Sequence, residues 1–436
     1  MDKKVVIVGA GVAGINAATK LVDNGYPGHL ITIIDMGKDP HKRLPSEVMT
    51  GMLGAGGWSD GKLTYHTAIG GQLSKYCGED KAMELMDQVI SNFRRFHPKP
   101  EEIFCSDPQE EPEFIKPYFG LRLFPVCHIG SNYLHEIAKA WYQYLIDRGV
   151  QFSWNTTITD IDFESQTIIS GEFGDKYDEL IFAVGKSGID FAQQLADKYK
   201  LPDEPKSVQI GVRFEAPQKY FQKLIDISYD FKLYQKFDNV SLRSFCTNNN
   251  AAYVAVEETY GDVSYNGHAK KGEEFRNDMT NFGILMEIKG IEDPFAWSRD
   301  IVQKLQINGT GLYYSPSRNL STTSEGNVVS ATKIDQLKVH QIRQMMDPYF
   351  DYVLNFVDDM NKIFEFGDDW GMYIPEVKYL SPEPLVNYHN LSLTTYPNVY
   401  FVGDALSARG ITVSGAHGIY VAEKLIQRSH LEELTQ

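Results

Sequence analysis

The most constraining feature of this sequence is a short apolar run that leads directly into three regularly spaced glycines. Residues 4–8 have the composition of a buried strand, and Gly9, Gly11 and Gly14 follow in the spacing G-x-G-x-x-G at the start of a helical pattern over 12–24. In that context the first glycine allows a tight turn, the second lets the backbone approach a pyrophosphate, and the third lets the helix pack close to the strand. The segment therefore predicts a β-α-β unit that binds a dinucleotide.

A second apolar run supplies the other half of this pattern. Residues 30–34 have the composition of the next strand, and Asp35 ends the run 21 residues after Gly14. An acidic side chain at this position accepts hydrogen bonds from a ribose, while the helix N-terminus offers N–H groups and a positive dipole to the phosphates. The strand, helix and second strand around the glycines favour this function over a chance glycine-rich turn.

Length and charge limit the architecture and the partners of the chain. With 436 residues it exceeds one ordinary domain core, so we expect two interleaved domains. Its 42 basic and 58 acidic side chains give a net charge of -16. This charge disfavours binding to nucleic acid and to anionic membrane surfaces, because both attract basic proteins. A small-molecule substrate is the expected partner, and the sequence leaves the oligomeric state open.

The four cysteines give no sign of a disulfide framework or of a metal centre. Cys77, Cys105, Cys127 and Cys246 show no C-x-x-C spacing and no paired histidine cluster. No apolar run approaches the length of a membrane span, and no signal-peptide cleavage pattern follows the first residues. We therefore expect reduced thiols, no bound metal and a cytoplasmic location.

A glycine-rich segment follows the first β-α-β unit. Residues 49–65 contain five glycines and few side chains able to build a core. Such a segment lets its backbone approach a ligand, although a flexible surface loop has the same composition. Both interpretations stay open at the level of sequence.

The order of elements in the middle of the chain is informative. Short strand patterns over 150–154, 157–163 and 167–170 precede an apolar run into Ala-Val-Gly over 178–188. This order resembles that of a glutathione-reductase-like FAD domain. In that fold the chain leaves the nucleotide-binding domain near this point for a second domain and returns at the C-terminus.

The return to the first domain is visible over 398–425. A strand over 399–402 delivers Gly403 and Asp404, and a helix begins near Ser414. The same resemblance implies that Asp404 binds the ribityl chain of the flavin. The N-terminal dipole of the helix would favour the reduced, negatively charged flavin.

These observations predict an α/β fold: a Rossmann-like, three-layer FAD-binding domain with an inserted mixed α+β substrate or cap domain. The first part of the FAD-binding domain is placed at 1–206, the inserted domain at 207–381 and the C-terminal return at 382–436. The sequence contains no second G-x-G-x-x-G. Electrons therefore come either directly from the substrate or from NAD(P)H that binds transiently over the flavin.

The inserted domain alternates between two kinds of pattern. Its β-type runs cover 208–215, 252–257 and 282–288, and its helical runs cover 295–305 and 347–366. Strand and helix patterns of this kind are typical of an α+β domain.

Several segments together resemble the bacterial FAD-dependent, "NAD-utilising" dehydrogenases. The matching stretches are GAGGWSDGKLTY at 54–65, HIGSNYL at 128–134, VQIGVRFE at 208–215 and LRSFCTNNNAAYVAVEETYGDVSYNGHA at 242–269. They occur in order along most of the chain, and SDGKLT is the most specific of them. Residues 247–250 stand where the family pattern has Cys-Pro-Gly-Gly, and Gly403-Asp404-Ala405 stand where it has a Gly-Glu-Gly-like turn. The resemblance implies an FAD-binding oxidoreductase and no particular substrate.

Polar residues in three segments are candidates for catalysis beside the flavin. Lys62 and Asp60 belong to the SDGKLTY segment, where a lysine would stabilise developing negative charge near the isoalloxazine. A lysine binds a phosphate or a neighbouring carboxylate equally well. His128 and His417 flank glycines and are candidate acid–base groups, with an ordinary structural histidine as the more common alternative.

Three further residues belong to the inserted domain. Arg213 and Arg318 have the side chain that clamps a carboxylate through two parallel hydrogen bonds, although a structural ion pair is the more common arrangement. Cys246 lies in an apolar run with no adjacent base, which favours a buried thiol over a redox-active one.

The predicted cofactor-binding residues all belong to the glycine-rich and strand-end segments described above. They are Gly9, Gly11, Gly14, Asp35, Gly57, Ser59, Lys62, Thr64, Ile158, Gly185, Gly403, Asp404, Gly410 and Ile411.

Together these residues favour an FAD-dependent dehydrogenase or reductase. The flavin would be noncovalently bound and would act on a small organic substrate by hydride transfer at N5. Three alternatives stay open: a flavin monooxygenase, a flavoprotein whose FAD is structural and which acts as a binding partner, and an NAD-binding protein without flavin.

Overall fold

The computed structural model describes residues 2–44, 47, 49–59, 61–106, 110–171, 173–204, 208–228, 230–250, 252–259, 261–269, 276–317, 330–378 and 383–434. Within them the strands are β1 Val5–Val8, β2 Ile31–Ile34, β3 Lys62–Thr64, β4 Phe104–Ser106, β5 Gly120–Arg122, β6 Val126–His128, β7 Gln151–Ser153, β8 Asp160–Asp162, β9 Thr167–Ser170, β10 Phe173–Lys176, β11 Glu179–Phe182, β12 Asp203–Glu204, β13 Val208–Pro217, β14 Lys232–Lys236, β15 Val240–Asn248, β16 Ala252–Thr259, β17 Asp262–Ala269, β18 Met279–Ile288, β19 Gly311–Tyr314, β20 Ala331–Lys333, β21 Gly371–Lys378, β22 Glu383–Pro384 and β23 Val399–Phe401. The helices are α1 Val12–Asp23, α2 Leu73–Cys77, α3 Glu79–Phe96, α4 Leu134–Asp147, α5 Ile189–Tyr199, α6 Gln222–Ile225, α7 Pro294–Lys304, α8 Gln336–Met345, α9 Tyr349–Phe364 and α10 Ile411–Leu434.

The chain divides into two compact units. Unit 1 comprises Met1–Ser106, Pro125–Pro205 and Ser381–Gln436, and unit 2 comprises Asp107–Phe124 and Lys206–Leu380. The sequence-based boundaries lie one residue away at both main crossings. They assign 107–124 to the wrong unit, because β5 pairs with β14 of unit 2, with Arg122 opposite Lys232. A three-residue strand in a proline- and acid-rich passage leaves no periodic pattern to detect.

The centre of unit 1 is a five-stranded parallel sheet in the order β23-β11-β1-β2-β7. Val5 pairs with Ile31 on one side and with Glu179 on the other. All four residues of β1 and all four of β11 are buried. Because successive side chains of a strand point to opposite faces, both faces of this sheet are covered, which fits a three-layer arrangement.

Small residues let α1 and α10 pack closely together in unit 1. A Cβ atom at Gly418 would overlap the carbonyl oxygen of Ala13 and would lie 3.1 Å from the backbone nitrogen of Ala17. A Cβ atom at Gly415 would lie 2.8 Å from a methyl group of Val89 in α3. The N-terminus of α10 is thereby fixed beside that of α1.

Two element boundaries in unit 1 differ from those predicted. The strand expected over 157–163 is paired only at β8, because residues 156–158 line a cleft instead of joining a sheet. The C-terminal helix begins at Ile411 rather than near Ser414. The earlier start brings the first turn of α10 to the edge of the same cleft.

Unit 2 is built on an eight-stranded sheet in the order β20-β19-β21-β13-β18-β15-β14-β5. Its neighbouring strands are antiparallel except for the parallel pair β19 and β20. The runs predicted in this region all exist, as β13, β16, β18, α7 and α9, with ends shifted by a few residues. Alternation along β13 places Ile210, Val212 and Phe214 in an apolar core with α9. The β16–β17 hairpin packs on the sheet through β17, whose Tyr265 joins a small cluster with Tyr313 and Tyr373.

The expectation of reduced thiols is wrong for two of the four cysteines. Cys105 of β4 and Cys127 of β6 lie directly opposite each other in an antiparallel pair and form a disulfide. Their 22-residue separation in sequence carries no signal, because the pairing arises where the chain leaves unit 1 and comes back. Cys77 and Cys246 are free.

Among the described residues, no helix combines the length and the apolarity needed to cross a bilayer.

Candidate functional site

A cleft of about 340 Å³ opens in unit 1 at the carboxyl ends of its parallel strands. Three strands deliver their next residue to it: β1 gives Gly9, β2 gives Asp35 and β11 gives Ala183. The fourth, β23, delivers Gly403 two residues after its end. The glycine-rich segment and the first turn of α10 complete the lining. Open parallel sheets place their ligands at this edge, and the volume lies within the range of small-molecule sites.

Two of the three glycines of the first turn are required by backbone packing, and the third borders open space. Gly9 has a φ of 108°, and a Cβ atom there would lie 2.7 Å from the carbonyl carbon of Ala183. A Cβ atom at Gly14 would overlap the carbonyl oxygen of Gly9 and would lie 2.9 Å from Ile7. At Gly11 the space is open, with the nearest atom 3.9 Å away. Gly9 and Gly14 are therefore required by the fold, whereas the absence of a side chain at Gly11 leaves room at the mouth of α1.

At the end of β2, the Asp35 carboxylate links three backbone segments that border the cleft. Its Oδ2 atom accepts a hydrogen bond from the Ala10 N–H at 2.7 Å, and its Oδ1 atom accepts from Gly37 and Gly51 at 2.7 and 2.8 Å. A carboxylate has about four acceptor positions, so these three bonds leave capacity for one more. The side chain is half-buried and lines the cleft, where it can accept from a ligand hydroxyl.

The glycine-rich segment packs against the first glycine turn and helix α1. Residues Gly54–Trp58 form a short 3₁₀ helix, preceded by Leu53 in the left-handed region at a φ of 63°. Leu53 donates its N–H to the Ala10 carbonyl at 2.8 Å, next to the glycine turn. A Cβ atom at Gly56 would overlap a methyl group of Val12 in α1. The backbone of this segment therefore forms one wall of the cleft.

Arg43 stabilises that wall through hydrogen bonds to backbone carbonyls. The guanidinium donates to the carbonyl oxygens of Glu47, Met52 and Gly54 at 2.9, 2.6 and 2.8 Å, and it lies 5.5 Å from the ring centre of Trp58. Burial lowers the pKa of Arg43 to about 10, opposed by the nearby carboxylates of Asp35 and Glu47. The side chain stays charged at neutral pH, and its positive charge lies close to the cleft.

The C-terminal element contributes a carboxylate, a guanidinium group and a helix N-terminus. Asp404 and Arg409 both line the cleft, and the Nε atom of Arg409 lies 3.5 Å from the Asp404 carboxylate. Ser414 lines the cleft from the first turn of α10 and donates to the Ala408 carbonyl at 2.7 Å. The N-terminus of this 24-residue helix points its partial positive charge towards the cleft.

Many of the predicted cofactor-binding residues meet in this cleft. Those that line it are Gly9, Gly11, Asp35, Ser59, Ile158, Gly185, Gly403, Asp404, Gly410 and Ile411. Gly14 lies behind the turn, and Gly57 packs against Arg43, with a hypothetical Cβ atom 3.3 Å from the guanidinium. Thr64 lies in β3, opposite Val126 of β6, and does not line the cleft as described.

Those predicted catalytic residues that the structure describes lie outside this cleft. Asp60 lies outside the described residues. Lys62 and His128 face each other across the antiparallel pair of β3 and β6, and neither is among the described residues that line the cleft. Pairing within that three-stranded sheet sets their position.

An acid–base role for His417 is wrong. The residue is fully buried in α10, its ring packs edge-on to Tyr76 at 6.0 Å, and burial lowers its pKa to about 3. The ring is therefore neutral at physiological pH and does not line the cleft.

Arg213 has the structural role that was the more common alternative, and Arg318 lies outside the described residues. Arg213 is fully buried in unit 2, where it bonds to Asn281, to the Cys246 carbonyl and to Glu376. Cys246 is half-buried, less than the sequence predicts. The described residues contain no group of three or more His, Cys, Asp or Glu side chains placed to hold a metal ion.

Sequence reasoning missed two arginines of the site. Arg43 binds backbone carbonyls, which leave no pattern in the sequence. Arg409 follows Asp404 by five residues in a stretch that the sequence analysis interpreted only through Gly403 and Asp404. A cation beside a predicted ligand-binding acid is the signal that could have found it.

Comparison with known proteins gives distant similarities. No family model matches the sequence. A protein of Clostridium beijerinckii, named only as uncharacterized, is 22% identical over 479 residues, which cover 98% of this chain and 81% of that protein.

Several of the similar solved structures name a flavin or FAD. Halogenase PltM in complex with phloroglucinol and FAD is 10% identical, with a TM-score of 0.42, over 99% of this chain and 71% of that one. A putative FAD containing monooxygenase from Photorhabdus luminescens subsp. laumondii TTO1 is 12% identical, with a TM-score of 0.40, over 98% of this chain and 89% of that one. With TM-scores below 0.5, these similarities carry no conclusion about the function of this chain.

Proposed function

We propose that unit 1 binds FAD noncovalently in this cleft and that the chain is an FAD-dependent oxidoreductase. The observation that carries the proposal is the convergence of three distant segments, the glycine turn, the glycine-rich wall and the C-terminal element, on one cleft at the carboxyl ends of a parallel sheet. Each of these segments offers backbone N–H groups, a helix N-terminus or a carboxylate that can accept a hydrogen bond from a ligand hydroxyl. These are the groups that bind a dinucleotide.

The residues present fit such a cofactor. The open space at Gly11 lies at the N-terminus of α1, whose cap carries no side chain, so a pyrophosphate can reach the helix dipole and the first N–H groups. The remaining acceptor capacity of Asp35 suits a ribose hydroxyl. Asp404 would hold the ribityl chain, and the N-terminus of α10 would favour negative charge on the flavin.

Bound FAD would supply hydride and electron transfer, so the chain need only hold, orient and shield it. Arg43 keeps the glycine-rich wall in place through its three carbonyl partners. Arg409 places a positive charge beside Asp404 and offsets the negative charge that the site accumulates. The proposal includes NAD(P)H as a transient electron donor, as the resemblance to NAD-utilising dehydrogenases implies. The experiment below tests this donor together with flavin binding.

The decisive experiment is an absorbance spectrum of the purified full-length chain, followed anaerobically as NADH and then NADPH are added. We expect flavin bands that are released on denaturation and that bleach with one nucleotide. Gly11→Val is the matched control, because the added side chain would occupy the proposed pyrophosphate space while the apo fold has room for its Cβ atom.

Each outcome separates one alternative from the proposal. A colourless protein that takes up no added FAD would overturn flavin binding and leave an NAD-binding protein. A stoichiometric flavin that, once reduced by dithionite, passes its electrons neither to oxygen nor to a quinone would be structural and would overturn the enzymatic assignment. Reoxidation by oxygen with a hydroxylated product would replace the dehydrogenase with the monooxygenase.

A further inference from the structure

The disulfide between Cys105 and Cys127 lies at the edge of a three-stranded sheet in unit 1. The strand order is β3-β6-β4, so β4, which carries Cys105, has one neighbouring strand among the described residues. Cys105 is exposed, whereas Cys127 in the central strand is only 7% exposed. Solvent therefore reaches this disulfide from the Cys105 side.

The disulfide is the strongest link between β4 and the rest of the sheet. The strand has three residues, and its pairing with β6 covers three residue pairs. Phe104 is 65% exposed, and the Ser106 hydroxyl makes only a long hydrogen bond, 3.4 Å, to the Val126 carbonyl. Elements with few buried contacts open locally at little cost in free energy. Exposed disulfides are also the ones that exchange most readily with thiols.

The same disulfide closes a loop of chain that belongs to unit 2. The two cysteines are 22 residues apart, and most of the chain between them, Asp107–Phe124, is part of unit 2. There β5 is the last strand of the eight-stranded sheet and pairs with β14. Ile115, Phe119 and Leu121 are buried in the unit 2 core, where the Phe119 ring lies 4.7 Å from that of Phe356 in α9.

Closing this loop stabilises the packing of residues 110–124 in unit 2. A crosslink acts by restricting the chain when it is released, and this restriction disfavours release. For a loop of this length the effect is roughly two orders of magnitude in the equilibrium constant. The apolar contacts of the segment remain after the disulfide opens, so the segment stays mainly packed but is released more often.

We propose that the Cys105–Cys127 disulfide is a site of reversible modification by low-molecular-weight thiols, and that its opening loosens residues 110–124 from unit 2. The attacked atom is the Sγ atom of Cys105, on the exposed side. The electrons come from the thiol, so the site does not depend on flavin binding.

The exchange takes place in two steps. In the first, a thiolate forms a bond to Cys105 Sγ, the protein disulfide breaks, and the electron pair leaves with Cys127 Sγ, which takes a proton from solvent. In the second, another thiolate attacks the mixed disulfide, releases Cys105 as a thiol and leaves as a small disulfide. Two thiols are thereby oxidised and one protein disulfide is reduced. Because Cys127 stands directly opposite Cys105 in the strand pair, it can also attack the mixed disulfide and restore the original bond.

A matched pair of full-length variants tests which sulfur reacts. Cys127→Ser and Cys105→Ser each leave one free thiol of the pair, and both lack the crosslink, so any loosening of β4 affects them equally. With 2-hydroxyethyl disulfide as the probe, we expect Cys105 to form a mixed disulfide at least tenfold faster than Cys127, as measured by mass spectrometry with peptide mapping. The mapping separates these sites from Cys246 and from Cys77, whose pKa burial raises to about 11.

The wild-type chain tests the consequence of opening. With excess 2-mercaptoethanol under native conditions, we expect both cysteines to become alkylatable together and amide hydrogen exchange over 110–124 to become at least tenfold faster. Exchange in α3 should not change, and the Cys77→Ser variant should respond as wild type does.

Three results would each overturn the proposal. The first is a disulfide that resists the thiol until the whole chain unfolds. The second is unchanged exchange over 110–124 after reduction, and the third is equal reactivity of Cys105 and Cys127 in the matched variants. All of these measurements are made without a flavin readout, so their failure is distinct from a failure to bind FAD.

Discussion

The glycine turn of unit 1 gives the sharpest prediction, because two of its glycines are required for different reasons. Gly11 has a φ of −68° and open space where a side chain would begin. Gly→Ala at such a backbone position changes the free energy of unfolding by about 0.4–1 kcal/mol in the stabilising direction. The apo form of Gly11→Ala should therefore be as stable as the apo wild type or slightly more stable.

The same substitution should strongly weaken FAD binding. The added methyl group enters the space proposed for the pyrophosphate and separates it from the N–H groups of α1. Each hydrogen bond to a charged group contributes about 1.5–3 kcal/mol, so the loss of one or two raises the dissociation constant roughly 10-fold to 20,000-fold. Gly11→Val should bind more weakly still.

Gly14→Ala is the contrasting variant. Its Cβ atom would overlap the Gly9 carbonyl oxygen and would lie 2.9 Å from Ile7, so the backbone itself must move. Overpacking of this kind costs about 1–3 kcal/mol, and more where backbone atoms are involved. Chemical denaturation of the apo proteins and fluorescence titration with FAD measure the two effects separately. A Gly11→Ala protein with wild-type FAD affinity, or one as destabilised as Gly14→Ala, would refute the assignment of these roles.

Four further substitutions test the site and a buried acid of unit 2, Glu215. Asp404→Ala should weaken FAD binding about tenfold or more in a fluorescence titration, and an unchanged affinity would remove the C-terminal element from the site. Arg43→Met should lower the free energy of unfolding by at least about 2 kcal/mol, because three buried carbonyls lose their donor, whereas the exposed neighbour Lys42→Met should not. Lys62→Met should retain FAD and its rate of reduction, since Lys62 does not line the cleft; slowed reduction with a normal spectrum would restore its catalytic role. For Glu215, a folded pKa of about 7 against an ordinary value of 4.5 means that the folded state binds more protons between these pH values, so wild-type stability should fall by about 3 kcal/mol as pH rises through this window. Denaturation curves of Glu215→Gln should lack that slope, and a slope equal to that of wild type would contradict the assignment.

Local patterns allowed the parts of the site that depend on local geometry to be predicted. The spacing of Gly9, Gly11 and Gly14 specifies a strand, a turn and a helix within ten residues, and the structure has those elements, with Gly9 and Gly14 in close backbone contact. The long runs of unit 2 were equally clear, because β13 and α9 have strong and different periodicities. Such elements are specified by neighbours in sequence.

Features that depend on distant partners could not be predicted in this way. Cys105 and Cys127 become neighbours only because β4 and β6 pair. Arg43 is fixed by three main-chain carbonyls, and any sequence supplies carbonyls. His417 stands between apolar residues of a helix whose buried face becomes known only when α2 packs against it.

Strand β13 of unit 2 shows how a clear pattern can mislead about burial. The alternation in VQIGVRFE predicts a strand with one apolar face and one polar face, and a polar face normally meets solvent. Here β17 covers the polar face, so Arg213 and Glu215 are buried with the residues opposite them. Burying charged and polar groups is tolerated when they neutralise and bond to one another, as Arg213 does with Asn281 and Glu376. Glu215 has no such partner among the described residues, and burial instead raises its pKa to about 7, so the carboxyl can become neutral and its burial costs less.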